Sequence, residues 1–234
     1  MGVTKEDIKD GSEAEFLKNG YVYTKLCGWI DLGHAIPGET RDLWRKIQNE
    51  QDDDFNTWEE PGYFFTSYGQ LMRHKKLSAG VRVAYRIKKG LGLKEKKSVT
   101  LGIFLDVSGR FETLQGSWPF CWLEQVKESS YSLEDLISNL IGFYRAVEPG
   151  RRYIEMSQPV TKKEALEIYE RHKSTIAILK NHSLRPLLFH LGTEGPMYGT
   201  LPLFLNTIRP AKPGELYGPL QGDFDVEKVL KPIV

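Results

Sequence analysis

The sequence predicts an α+β protein, a small and mostly antiparallel sheet packed by several helices, and three observations carry that expectation. Val81, Val83, Tyr85 and Ile87 alternate with Arg82, Ala84 and Arg86, the period-two pattern of a strand with one face in solvent. Leu133, Leu136, Ile137, Leu140, Ile141, Tyr144 and Val147 recur at helical spacing and make one broad apolar face. From Gly192 onward the chain is rich in Gly and Pro with interspersed Tyr, Phe and Leu, which suits an extended C-terminal segment (192–234) wrapped over the body.

Taken in order, residues 4–18 carry mixed charge around Ile8, Phe16 and Leu17 and give a short helix at most. The stretch Gly20 to His34 opens as a strand, Tyr21 to Thr24, and ends in Asp31 and His34 beside small residues. An apolar strand running out into a Gly-flanked carboxylate and imidazole presents polar groups at the edge of a core. Residues 40–50 read as a helix, with Thr40 as N-cap and Leu43, Trp44 and Ile47 as its apolar edge. Gln51 to Glu60 is an acidic loop without the ligand spacing of a calcium loop, and it is expected in solvent.

Tyr63 to Met72 and Val81 to Ile87 read as strands, followed by a Lys-rich turn over 88–97 broken at Gly90 and Gly92. Residues 98–115 fit two periods: Val99, Leu101, Ile103, Leu105 and Val107 alternate, while Val99, Ile103, Val107, Phe111 and Leu114 form a helical stripe. Eighteen residues is long for a strand, so a helix is expected. Ser132 is the expected cap of a helix over 133–147, with Asp135 at its third position. Opposite the apolar face, Asp135, Ser138, Asn139 and Gly142 cluster, and a backbone or a ligand is expected to approach them closely. Lys162 to Lys173 is a charged amphipathic helix, and His172, His182 and His74 are expected at the surface. With 234 residues, no internal repeat and no low-complexity linker, the chain is expected to form a single domain, 1–234.

Composition narrows the function classes. Lys plus Arg (32) nearly cancels Asp plus Glu (31), which gives no case for nucleic acid. No run approaches the ~18 apolar residues of a membrane span, so no stable membrane insertion is expected. Met1 to Asp10 carries no apolar leader, which points to a cytoplasmic protein as synthesised. Cys27 and Cys121 lack metal-ligand spacing, and no phosphate loop, dinucleotide fingerprint, zinc-protease or serine-hydrolase motif is present. Neither a metal nor a cofactor is expected.

Three constellations remain. Cys27, Asp31 and His34 could form a thiol, a base and its orienting group, provided the chain bends between Cys27 and His34. Glu112, with Ser108 and Gln115 beside it on a helix, would be a carboxylate whose pKa is raised by burial, suited to acid/base work with His34. Asp135, Ser138 and Asn139 could supply a nucleophile at Ser138 and a substrate donor at Asn139. Each has a plain counterpart: a small buried thiol, a solvent-facing carboxylate, a helix-packing face.

Two runs also resemble a family. Asn19-Gly-Tyr-Val-Tyr-Thr-x-x-x-Gly-Trp-Ile-Asp-x-Gly-His34 and Ser130-Tyr-Ser-x-Glu-Asp-Leu-x-Ser-Asn-x-x-Gly142 are similar to segments of an uncharacterised bacterial family of envelope proteins, many of them predicted lipoproteins. Phe111-Glu112-Thr-x-Gln-Gly116 is similar to a helical motif of that family in which a His precedes the Glu; here Phe111 stands there, which weakens a metal-binding reading. Cys27 is not a regular cysteine position of the family. The resemblance covers about a third of the chain and carries no established activity. It implies that Asp31, His34, Glu112, Glu134, Asp135, Ser138 and Asn139 belong to one place.

The function expected from these residues is hydrolysis of an amide or glycosidic bond in a bacterial cell-envelope polymer such as peptidoglycan. His34 is the expected acid/base, Asp31 its orienter, Glu112 the second acid/base, and Cys27 or Ser138 the nucleophile of any covalent step. Asn139, Asp135 and Gln115 are the expected substrate contacts. Kinship with envelope proteins adds a context: export by a signal-independent secretion machine as an antibacterial effector, with an immunity partner. The alternatives are a non-catalytic binding or structural module and a papain-like cysteine hydrolase using Cys27 and His34.

Overall fold

The computed structural model describes residues 3–53, 59–74, 77–115, 135–220 and 231–232. In chain order its elements are β1 (Tyr21–Thr24), β2 (Gly28–Asp31), α1 (Gly38–Asn49), β3 (Tyr63–His74), β4 (Leu77–Lys88), α2 (Leu93–Gln115), α3 (Asp135–Val147), α4 (Tyr153–Met156), α5 (Lys162–Ile178), β5 (Leu187–Leu188), β6 (Met197–Tyr198), β7 (Tyr217–Pro219) and β8 (Lys231–Pro232). Every strand pairing among them is antiparallel, and the class is α+β. Among the described residues no helix is long and apolar enough to cross a membrane.

The chain forms two compact units, each assembled from two separated stretches: Met1–Pro37 with Cys121–Thr207, and Gly38–Phe120 with Ile208–Val234. A unit built from discontinuous stretches needs no linker of distinctive composition, which is why the sequence carries no visible boundary between them.

The second unit is a β3–β4 hairpin with α1 and α2 packed on it. Register runs from Tyr63 opposite Lys88 to His74 opposite Leu77. Val81, Val83, Tyr85 and Ile87 are all buried, as their alternation predicts. Each such side chain contributes about 1.5–3 kcal/mol relative to exposure. Helix α2, with Val99, Ile103 and Val107 buried, packs on both strands, and α1, with Leu43, Trp44 and Ile47 buried, packs on β3 and on α2. The double periodicity of 98–115 has a structural cause: Val99, Thr100, Leu101, Ile103 and Phe104 are all buried, so apolar residues occupy more than one face of the helix. After residue 208 Ala211 N–H donates to the Ser98 carbonyl at 2.9 Å, and past a turn at 213–215 β7 is added to β4.

Four local expectations change. The helix of the Lys-rich stretch starts at Leu93, because Glu95 caps Gly92 N–H at 2.9 Å and ends the turn there. Helix α1 starts at Gly38, so Thr40 is inside it; its hydroxyl is buried against the Tyr68 hydroxyl at 3.0 Å. Asp53 of the acidic loop is buried, not solvated: it accepts from Ser67 N–H at 2.6 Å and Ser67 Oγ at 2.7 Å and pairs with Lys46 at 2.7 Å. A buried carboxylate is tolerated where a cation and donors satisfy it together. In the first unit, His172 is also buried on α5, with Nε2 2.9 Å from the His190 carbonyl and its ring 5.3 Å from that of Phe189. Of the other surface expectations, His182 is exposed and the His74 side chain lies outside the described residues.

Candidate functional site

In the first unit β1 and β2 form a hairpin, Tyr21 opposite Asp31 and Thr24 opposite Gly28. Tyr23, Trp29 and Phe189 anchor it in a core shared with α5 residues Ala165, Ile168 and Ile176. Gly28 has a positive φ of 71°, and a Cβ there would collide with the Leu187 carbonyl, so β5 can lie directly against the turn only because this residue is glycine. The hairpin delivers Asp31 to the end of β2, where the chain leaves the core.

Asp31 then folds the exit into a turn. Its Oδ1 accepts from Gly33 N–H at 2.7 Å and from His34 N–H at 3.2 Å, while Ala35 N–H returns to the Asp31 carbonyl at 2.9 Å. The turn swings His34 onto the first turn of α3. There its Nδ1 stands 3.0 Å from Asp135 Oδ1 and 4.0 Å from Asp31 Oδ2. Only the first is a hydrogen-bond distance. Asp135 is therefore closer to the imidazole than Asp31, the orienter expected from the sequence. Its carboxylate is 5% exposed and lies at a helix N-terminus, where the backbone dipole favours negative charge, whereas the His34 side chain is 48% exposed.

Two more positions of α3 hold the turn. Asp31 N–H donates to Ser138 Oγ at 2.9 Å, and Ser138 is fully buried. Its hydroxyl accepts from backbone and is closed off from solvent, a placement that does not fit the nucleophile expected there. At Gly142 an added Cβ would lie 2.8 Å from the His34 carbonyl oxygen and 2.9 Å from that of Ile36. The close approach expected at the small face of α3 is thus made by another stretch of backbone. Asn139 is half-buried to one side of this stripe.

Asp31, His34, Asp135 and Ser138 are consequently in one place. Glu112 and Gln115 lie on α2 in the second unit, and their side chains are outside the described residues, so the expected pairing of Glu112 with His34 has no geometry here. Ser108 of the same helix is buried and accepts from Gln70 Nε2 at 3.0 Å. Cys121, Ser132 and Glu134 are likewise outside the described residues. Among those described, no group of three His, Cys, Asp or Glu side chains is arranged to hold a metal ion.

Cys27 is in the turn between β1 and β2, where Thr24 Oγ1 accepts its N–H at 3.1 Å. Burial pushes its thiol up to about 11, against a smaller opposing effect of a hydrogen bond with Ser157. At neutral pH that leaves about 100-fold less thiolate than an ordinary cysteine has, the reverse of activation. Peptide mapping after iodoacetamide treatment should find Cys27 unmodified in the native protein at pH 7.5, with labelling rising as the pH approaches 11 or on denaturation. Fast labelling at neutral pH would restore the cysteine-hydrolase alternative.

No family model matches the chain, and comparison with curated proteins and with solved structures gives no match either.

Proposed function

We propose that the chain is a hydrolase in which His34 is the general acid/base and Asp135 its orienting carboxylate, acting on an amide bond of a bacterial cell-envelope polymer. One observation carries the reading: a half-exposed imidazole has one ring nitrogen 3.0 Å from a buried carboxylate. Donation from Nδ1–H to Asp135 selects the tautomer in which Nε2 is the basic nitrogen, and it stabilises the imidazolium formed when Nε2 takes a proton. In the step proposed, Nε2 removes a proton from water as the water oxygen adds to the acyl carbon. The C–N bond then breaks, and the same proton passes to the departing amine.

The two carboxylates favour an amide over a glycoside. Glycosidases place a pair of carboxyl groups on either side of the sugar linkage. Here Asp31 and Asp135 both approach the same nitrogen of His34. An envelope polymer as substrate is supported by the sequence runs that resemble the envelope family, and delivery by a secretion machine as an antibacterial effector belongs to the same proposal.

The competing reading is a binding or structural module, supported by the hydrogen bonds that commit Asp31 and Ser138 to holding a turn. Incubation with purified peptidoglycan separates them: the hydrolase should release new amine termini and no new reducing ends. New reducing ends would replace the amide by a glycosidic bond. Release of neither, across substrates and pH, would leave the module.

A further inference from the structure

Asp135, Ser138 and Gly142 are spaced three and four apart, so they lie on one stripe of α3, and the next position of that stripe is Arg145. Arg145 meets the same turn: its Nη1 donates to the Ala35 carbonyl at 3.0 Å. Its Nη2 donates to the Glu15 carbonyl at 3.0 Å and lies 3.4 Å from the Glu15 carboxylate. Glu15 is itself fixed, because its other oxygen accepts from Ile154 N–H at 2.9 Å and Glu155 N–H at 3.2 Å at the start of α4. The side chains of Arg145 and Glu15 are 19% and 9% exposed, so water competes little for these bonds.

The carbonyls of His34 and Ala35 belong to the two peptide planes that follow the histidine. Gly142 sets the distance of the first from α3, and Arg145 tethers the second. An imidazole meets a carboxylate along one direction only, so rotating either plane would swing Nδ1 off Asp135. A guanidinium fork can hold two partners at a fixed angle, which a single ammonium does not reproduce.

We propose that Arg145 is a positioning residue for His34, keeping Nδ1–H on Asp135 by fixing the backbone that follows the histidine. This rests on the reading of His34 as the acid/base, and its test needs no substrate. With ¹⁵N-labelled histidine, nuclear magnetic resonance reports which ring nitrogen carries the proton in the neutral imidazole, and the His34 signals are assigned by their loss in His34→Gln. The native protein should show Nδ1–H at His34, and Arg145→Ala should shift it to a mixture dominated by Nε2–H. Arg145→Lys, which retains a positive charge but not the fork, should fall between the two. A native Nδ1–H signal that persists in Arg145→Ala would overturn the positioning role and leave the acid/base reading standing. Should Arg145→Ala fail to fold, Arg145→Lys decides: partial loss of Nδ1–H supports the role, and an unchanged signal removes it. Absence of Nδ1–H in the native protein would sink both readings.

Discussion

Gly142→Ala is expected to destabilise the protein by about 1–3 kcal/mol, the usual cost of forcing extra volume into a packed contact. Two effects oppose each other at this position. Alanine improves helix propensity over glycine by about 1 kcal/mol. Against that, the new methyl would sit 2.8 Å and 2.9 Å from two carbonyl oxygens, contacts that real Cβ atoms essentially never make. Both oxygens belong to backbone, so neither can swing aside as the end of a long side chain would. The stretch His34 to Ile36 must lift from α3, carrying Ala35 away from Arg145 and the imidazole away from Asp135. The clash should win. Urea denaturation would measure it, with a fall in midpoint at unchanged slope. A variant more stable than the native protein would mean that the loop yields freely and that glycine is not what seats it.

How far this arrangement could be read from the sequence depended on how local each determinant is. The alternation of Val81 to Ile87 and the apolar face of α3 are set by burial of neighbouring residues on one element, and both were legible. The small face of α3 was legible too, because Ser138 and Gly142 are anomalous on a surface helix. Their partner was not, since nothing in a sequence pairs a helix stripe with a turn over a hundred residues away. Asp31 looked like the orienter of His34 for the same reason: it is three residues off, whereas Asp135 arrives only through the fold. Arg145 is hard to single out because an arginine near a helix C-terminus has an ordinary explanation in the dipole. Extending the spacing of Asp135, Ser138 and Gly142 by one step would have found it. Asp53 and His172 read as surface residues for a related cause, since their burial depends on partners from elsewhere in the fold, Lys46 and Ser67 for the first and the His190 carbonyl for the second.

The largest effect on turnover is expected at His34 and Asp135. His34→Ala removes the proton acceptor and should lower kcat/KM by about 10³-fold or more, with the melting temperature nearly unchanged because the side chain is half-exposed. Asp135→Asn keeps the shape of the carboxylate but turns one oxygen into a donor. An amide N–H facing Nδ1 selects the opposite tautomer, with the proton on Nε2, so the atom that should accept a proton already holds one. The loss should be about 10²–10⁴-fold, as for a misdirected imidazole in other acid–base sites. Asp31→Asn should cost far less, since its carboxylate lies 4.0 Å from Nδ1 and the amide oxygen can still accept from Gly33 and His34 N–H. That order, His34 and Asp135 severe and Asp31 mild, is a signature of chemistry running through one nitrogen pair. A structural lock predicts another order: stability lost at Asp135 and Asp31 alike and rates unaffected by any of the three. Steady-state rates and melting curves on the same three variants would decide between them.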